Sequence, residues 1–351
     1  MSSYIVLSWI SVLCLFGGCL TKDEKVAEHY ETKELYNLQF FNEHLYIGGT
    51  DKLLRLDTDL EVNDSISTCH SQCGSNPNIN KVLLIVKDKV DKIVTCGTGN
   101  QGSCELRSLP DLNVTASTQS MVSTNSRRPA LAVMIKPDSL NFVLAVTYSS
   151  DLNENIWNPM TIRTVSSKME LQLAGDEVDV VKLKVDESHD IRSSYLIYYK
   201  AVLRYGGFTY FATNQKAFAK GRTEYVSKLI RLCDSTENLW SYTDVIIECS
   251  NNNVTYNLIQ DAVFVKGENS ILLVATFVKD SNPENPSGES VICSTDLQTL
   301  NSTFRTAVKE FIQCDNETEF EFPTENLYLL AARGKECIQP SKVRLVSLEY
   351  Y

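Results

Sequence analysis

The chain has 351 residues, 43% of them hydrophobic, so it can bury a substantial core as one large domain or two ordinary ones. Its 33 basic and 44 acidic residues leave a formal charge of −11. That balance argues against nucleic acid as the partner, because binding phosphates needs a cationic footprint.

The first element is Tyr4–Leu20, an apolar run ending in the small residues Gly17 and Gly18, with charge starting at Lys22-Asp23-Glu24-Lys25. It reads as a secretory signal peptide over residues 1–20, followed by a loose charged lead-in over 21–34. Its n-region lacks the usual positive charge, and an N-terminal membrane anchor is the rival at that length. A lipoprotein box at Cys19 fits poorly with Phe16. No later stretch is long and apolar enough to span a bilayer. Export is supported separately by five N-x-S/T sequons, at Asn63, Asn113, Asn253, Asn301 and Asn316, and by nine cysteines after the signal. In an oxidising compartment the cysteines read as disulfides, and an odd count means that at least one cannot pair within the chain.

From Leu35 the pattern is that of short strands. Leu35 to Phe41, a turn at Asn42-Glu43, His44 to Gly48, Leu53 to Asp57 and Val62 to Ser67 form one module. Lys81 to Val86, Lys92 to Cys96, Ser103 to Arg107 and a strand from Val114 form a second. Leu131 to Ile135 and Asn141 to Thr147 open a third. Ala201 to Tyr205, a Gly206-Gly207 turn and Phe208 to Thr213 open a fourth. Its outer pair is the hairpin Ser227 to Cys249, with a first run ending at Cys233 and a second from Trp240 to Ile247. Asp261 to Val265 and Ile271 to Phe277 open a fifth. Module starts lie about 45 to 70 residues apart, which suits four-stranded propeller blades with loop insertions. An array of immunoglobulin-like sandwiches is the rival, but the Cys…Trp…Cys spacing is missing. The best helix is Ser302 to Gln313, capped by Asn301 or Ser302, with Phe304, Ala307, Val308 and Phe311 on one face.

Chemical motifs are few. Gly97-Thr98-Gly99-Asn100-Gln101-Gly102 satisfies G-x-G-x-x-G, but the residues after it alternate like a strand and meet Pro110, so there is no helix to receive a pyrophosphate. The glycines read as a turn with Cys96 and Cys104 bridged across it. Cys69-His70-Ser71-Gln72-Cys73 reads as a short disulfide loop rather than half a zinc site, since the other histidines, His29, His44 and His189, are scattered. No G-x-S-x-G or H-E-x-x-H occurs. Asp176-Glu177 and Glu317 to Glu321 read as solvated charge, and Trp157, Trp240 and the tyrosines as core or strand-face residues. No catalytic, cofactor or metal site is expected.

The segments IVTCGTGNQGSCEL, VLRYGGFTYFAT and SKLIRLCDSTENLWSYTDVIIEC, with YNLIQDAVFV after the last, resemble a sema domain of the plexin type over about Leu35 to Ile338. Semaphorins share the fold, but the basic K-A-R-L-N-C run expected of them is replaced here by Lys228-Leu229-Ile230-Arg231-Leu232-Cys233. The hepatocyte growth factor receptor type is the nearer rival. The resemblance implies an all-β, sema-type β-propeller, seven-bladed in the family and with about five blades represented here, over residues 35–351. It implies disulfides Cys69–Cys73, Cys96–Cys104, Cys249–Cys293 and Cys314–Cys337. Cys233 is then the odd cysteine, its family partner lying beyond the position of Cys337. The odd count and the five modules fit a sema domain cut off before its last two blades.

By resemblance the partner is a semaphorin-type protein ligand, with a homodimer as a further assembly, no cofactor, and membrane attachment only through segments outside this chain. The location is secreted or on the extracellular face of the plasma membrane. The leading function is thus the semaphorin-binding module of a plexin-like receptor, without catalysis. A secreted soluble sema-domain protein acting as decoy or ligand is the alternative, and an extracellular propeller enzyme such as a glycosidase ranks third.

Overall fold

A computed structural model gives the fold; it describes residues 34–69, 76–135, 140–152, 159–165, 171–173, 182–183, 196–216, 224–234, 239, 241–251, 253–267, 270–313 and 342–347. The apolar runs form antiparallel meanders, because short polar turns reverse the chain between them. In the first such turn Asn42 and Glu43 both adopt left-handed φ, 47° and 62°, which matches the strand twist.

The first sheet is β1 (Leu35–Phe41), β2 (His44–Gly49), β3 (Lys52–Leu56) and β4 (Val62–Ser67) in that order. The second is β5 (Asn80–Val86), β6 (Lys92–Gly97), β7 (Cys104–Ser108) and β8 (Val114–Thr118). The third is β9 (Ala130–Met134), β10 (Asn141–Val146), β11 (Met160–Val165) and β12 (Leu171–Leu173), with β13 (Lys182–Leu183) also on β11. The fourth unit is β14 (Ile197–Tyr205), β15 (Phe208–Lys216), β16 (Tyr225–Cys233) and β17 (Thr243–Asn251), with β18 (Val254–Tyr256) on β17. The fifth is β19 (Leu258–Lys266), β20 (Ile271–Val278), β21 (Ser290–Asp296) and β22 (Lys342–Ser347), with helix α1 (Leu297–Gln313) inserted before its last strand. Strand β22 pairs antiparallel with β21 and parallel with β17, so units four and five share one sheet.

The units stack face to face. The first strands β1, β5, β9, β14 and β19 lie beside one another in turn, which is the arrangement of propeller blades around a channel. Each gap is filled by apolar side chains from both neighbours. Tyr46 and Leu53 meet Leu83 and Ile93 between units one and two, and Leu84 and Val94 meet Phe142 and Leu144 between two and three. Val143 and Ile162 meet Tyr199 and Phe211 next, and Tyr210 and Leu229 meet Leu273 and Phe277 last. A strand covered on both faces needs no polar alternation, which is why β5 and β10 read as near-continuous apolar runs.

The first strands share a second device. β1, β5, β14 and β19 each carry a bulge, whose extra residues are Tyr36, Lys81, Lys200 and Gln260. Three residues before two of these bulges stand Asn78 and Asn257. Asn78 donates to the Thr68 carbonyl at 2.9 Å and accepts from the Gly99 N–H at 2.8 Å. Asn257 donates to the Tyr225 and Asp280 carbonyls at 3.0 and 2.8 Å. These amides satisfy backbone groups where one unit hands over to the next.

Two local expectations change. The second run of the Ser227–Cys249 hairpin forms a strand from Thr243, not from the position of Trp240, which lies outside the described residues. The helix begins at Leu297, a turn earlier than Ser302, because Asp296 caps it in place of Asn301 or Ser302. The Asp296 carboxylate accepts the Thr299 N–H at 2.8 Å and its hydroxyl at 2.6 Å. Signal residues 1–20, and Trp157, His29, His70, His189, Asp176-Glu177 and Glu317 to Glu321, lie outside the described residues.

Candidate functional site

The cysteines and sequons are spread over the stack and do not converge. Cys96 and Cys104 are bonded and stand directly opposite each other in β6 and β7. The turn between them is left-handed at Asn100, Gln101 and Gly102, and a Cβ on Gly102 would lie 1.8 Å from the Val122 carbonyl oxygen. The G-x-G-x-x-G stretch is thus a packed strand connection. Cys249 on β17 is bonded to Cys293 on β21, tying unit four to unit five. Replacing both with alanine is expected to cost about 2–5 kcal/mol, read as a lower denaturant midpoint; an unchanged midpoint would show that the parallel β17–β22 seam alone holds the units. Cys69 is also disulfide-bonded, whereas Cys73, Cys314 and Cys337 lie outside the described residues. Cys233 ends β16 as a thiol, and its N–H donates to Ser241 Oγ at 2.9 Å. Asn63, Asn113 and Asn253 are exposed; Asn301 is half-buried within α1, and Asn316 lies outside the described residues.

The residues that do converge sit on loops at the two ends of the stack. The first strands run side by side in one direction, since Tyr205 near the end of β14 meets Phe264 near the end of β19, while the Ile197 carbonyl at the start of β14 accepts the Thr147 hydroxyl beside the start of β9. One rim therefore carries the hairpin tips and the other the crossings between units.

At the crossing rim, Arg128 pairs with Glu284 at 2.6 Å across Tyr198, joining the chain before β9 to the β20–β21 loop. Arg128 donates to the Tyr198 hydroxyl, which donates on to Glu284 at 3.3 Å. Burial raises the Tyr198 phenol well above its ordinary value, opposed by the Arg128 charge, so it stays a proton donor. The bulge residues reach the same loops. Lys81 Nζ donates to the Asn125 and Arg128 carbonyls at 2.6 Å each, and Lys200 Nζ to the Pro283 carbonyl at 3.3 Å. Burial pulls the Lys81 ammonium down to about 8. Asp280 organises the loop by accepting the N–H groups of Ser281, Asn282 and Ser287 at 2.6, 3.1 and 2.7 Å. Beside Tyr225 an open cavity of about 330 Å³ is lined by Glu224, Ser227, Glu248, Asn257 and Lys279.

At the hairpin rim over units four and five an aromatic stack surfaces. Tyr205 lies 5.9 Å from Phe264, Phe264 5.2 Å from Tyr210, and Tyr210 6.1 Å from Phe304 of α1, between ring centres. The Arg231 guanidinium is held between Phe208 and Phe304, 4.6 and 4.3 Å from their ring centres. Asn301 Oδ1 accepts from Arg231 Nη1 at 3.3 Å and from the Tyr210 hydroxyl at 3.4 Å. Burial makes the Arg231 charge harder to hold, and nearby Arg305 adds to that effect. The two rims offer recognition chemistry: ring faces, hydroxyls and oriented charges. Sequence reading missed both clusters, since their members are up to a hundred and more residues apart; the F-x-Y alternation at Phe208 and Tyr210 was the one local signal that both rings share a face.

No protein-family model matches the chain. In fold it resembles the plexin A4 extracellular region, with a TM-score of 0.70 at 19% identity over 90% of this chain and 41% of that one. A chain from the complex of Drosophila Plexin A with Semaphorin 1b matches at a TM-score of 0.54 and 12% identity, over 89% of this chain and 60% of that one. The stacked meanders are thus the β-propeller of a sema domain. In sequence the chain is 26% identical to mouse Plexin-A4 over 257 residues, covering 64% of this chain and 14% of that protein. In both fold and sequence the chain is similar to plexin sema domains. It spans about a seventh of the length of that curated relative.

Proposed function

We propose that the chain is the semaphorin-binding extracellular module of a plexin-like cell-surface receptor, acting by recognition and not by catalysis. The observation that carries this reading is the sequence similarity to Plexin-A4 on a fold also seen in a plexin–semaphorin complex. The loop-built rims support it, since propeller scaffolds present binding residues on loops held by rigid sheets. On this reading residues 1–20 are a cleaved signal, 21–34 a lead-in, and residues from 35 onward the propeller, with the sequons at Asn63, Asn113, Asn253, Asn301 and Asn316 as glycan acceptors.

The test is binding of the purified, glycosylated protein to a panel of immobilised semaphorin ectodomains. Saturable binding to at least one is expected, with affinity falling as salt rises if charged loops contribute. A folded protein that binds none of the panel would overturn the proposal.

A further inference from the structure

We propose that the hairpin rim over units four and five, where Lys266, Arg305 and Lys309 edge the aromatic stack, is the docking surface for a carboxylate-bearing loop of the protein ligand. This rests on the reading of the chain as a protein-binding module.

The local charge runs against the whole. The chain carries a formal −11, yet these three cations are exposed and form no ion pair with a described residue. Elsewhere Arg55, Lys92, Arg107, Arg128 and Arg204 each have a carboxylate partner. Arg305 and Lys309 are one turn apart on the exposed side of α1, so like charges sit together on one stripe. Arg305 also acts against the charge of Arg231, which lies beneath the helix between two rings. Lys266 comes two residues after Phe264 on β19 and therefore shares its side of the strand, beside Tyr205. Like charges on one rim repel one another, most strongly Arg305 and Lys309 on the same helix stripe, and an incoming carboxylate relieves that repulsion.

Shape points the same way. Tyr205 is 41% exposed, so its ring offers a face to the outside while its inner side packs on Phe264. The Gly206-Gly207 turn beside it has φ of 61° and 81°, and a Cβ at either glycine would meet nothing within 4 Å. A partner backbone can approach this bare turn closely and set an apolar or aromatic side chain on Tyr205 while its acidic groups reach Lys266, Arg305 and Lys309. Tyrosine and arginine at such an edge suit a protein partner. Three separated cations are a sparse array for a sulfated polysaccharide, which the test keeps as a distinct outcome.

The experiment uses the full chain and two immobilised probes, a random Glu–Tyr copolymer and a semaphorin ectodomain, with heparin as a third surface. The variants are K266E/R305E/K309E and, as a milder second, R305Q/K309Q; both alter exposed side chains, and unchanged melting checks the fold. Wild type is expected to bind the copolymer with affinity that falls with salt, and the triple variant to lose about tenfold or more on copolymer and semaphorin alike, with Tyr205→Ala also weakening both. If the variants weaken on the copolymer while wild type binds no semaphorin, the surface stands and the function proposed above fails. If wild type and variants bind semaphorin equally, that function stands and this surface is overturned. Binding to heparin alone overturns a protein-facing role.

Discussion

Replacing Lys228 with methionine is expected to destabilise the protein by about 3–5 kcal/mol, measured as a fall in urea midpoint at unchanged slope. Lys228 on β16 and Asp244 on β17 are 3.6 Å apart, with side-chain exposures of 0% and 1%. The Tyr242 hydroxyl donates to Asp244 at 2.9 Å, so the carboxylate is held inside the contact between units three and four. Methionine fills the space of the lysine stem but removes the Lys228 charge from beside the buried Asp244 carboxylate. Removing one partner of a buried pair costs far more than the pair contributes. The double variant K228M/D244L removes both charges and should recover most of the loss. Equal stability of wild type and Lys228→Met would mean that water reaches Asp244 in solution.

Phe304→Ala is expected to cost a similar amount, about 3–5 kcal/mol, and to act first on α1. Phe304 is fully buried and is one of the ring pair that holds Arg231. Without it the guanidinium loses one ring face, and the helix loses its central contact with Tyr210. Amide hydrogen exchange should therefore speed up through α1, around Phe304, well before the sheets are affected. Phe304→Leu keeps apolar volume and should lose less. Exchange that rises equally over all five units would show that α1 is coupled to the whole stack and not docked locally.

The inner hairpins of the middle units are legible in the sequence because their strands are covered on both faces, whereas β1 at the edge of the stack is largely exposed. KVLLIV and NFVLAV can be little else. Outer strands are harder. β12 and β13 have only three and two residues, and loops set them and β11 apart in the sequence, so local pattern gives no register for them. The start of α1 is displaced because Asp296 ends a strand and caps a helix at the same residue, and two adjacent elements compete for it. The bulges at Tyr36, Lys81, Lys200 and Gln260 have no one residue type common to all four, since a bulge is set by pairing with the neighbouring strand. The rim clusters were hidden for a related reason: the members of the aromatic stack come from β14, β15, β19 and α1, and only the stacking of units brings them together.

The late arrival of β22 gives synthesis a direction. Units one to three take their strands from consecutive stretches, so each can pair soon after it leaves the ribosome. Unit five cannot, because its last strand follows α1 and residues 314–341. Until then β21 and β17 each present an open edge, the hazard that strand edges carry in a nascent chain. Cys249 and Cys293 both precede that interval, so their bond can form first and hold the two edges near each other. With that bond in place, β22 would enter a slot already spaced by a covalent link, and the slow non-local pairing would be left with a short search.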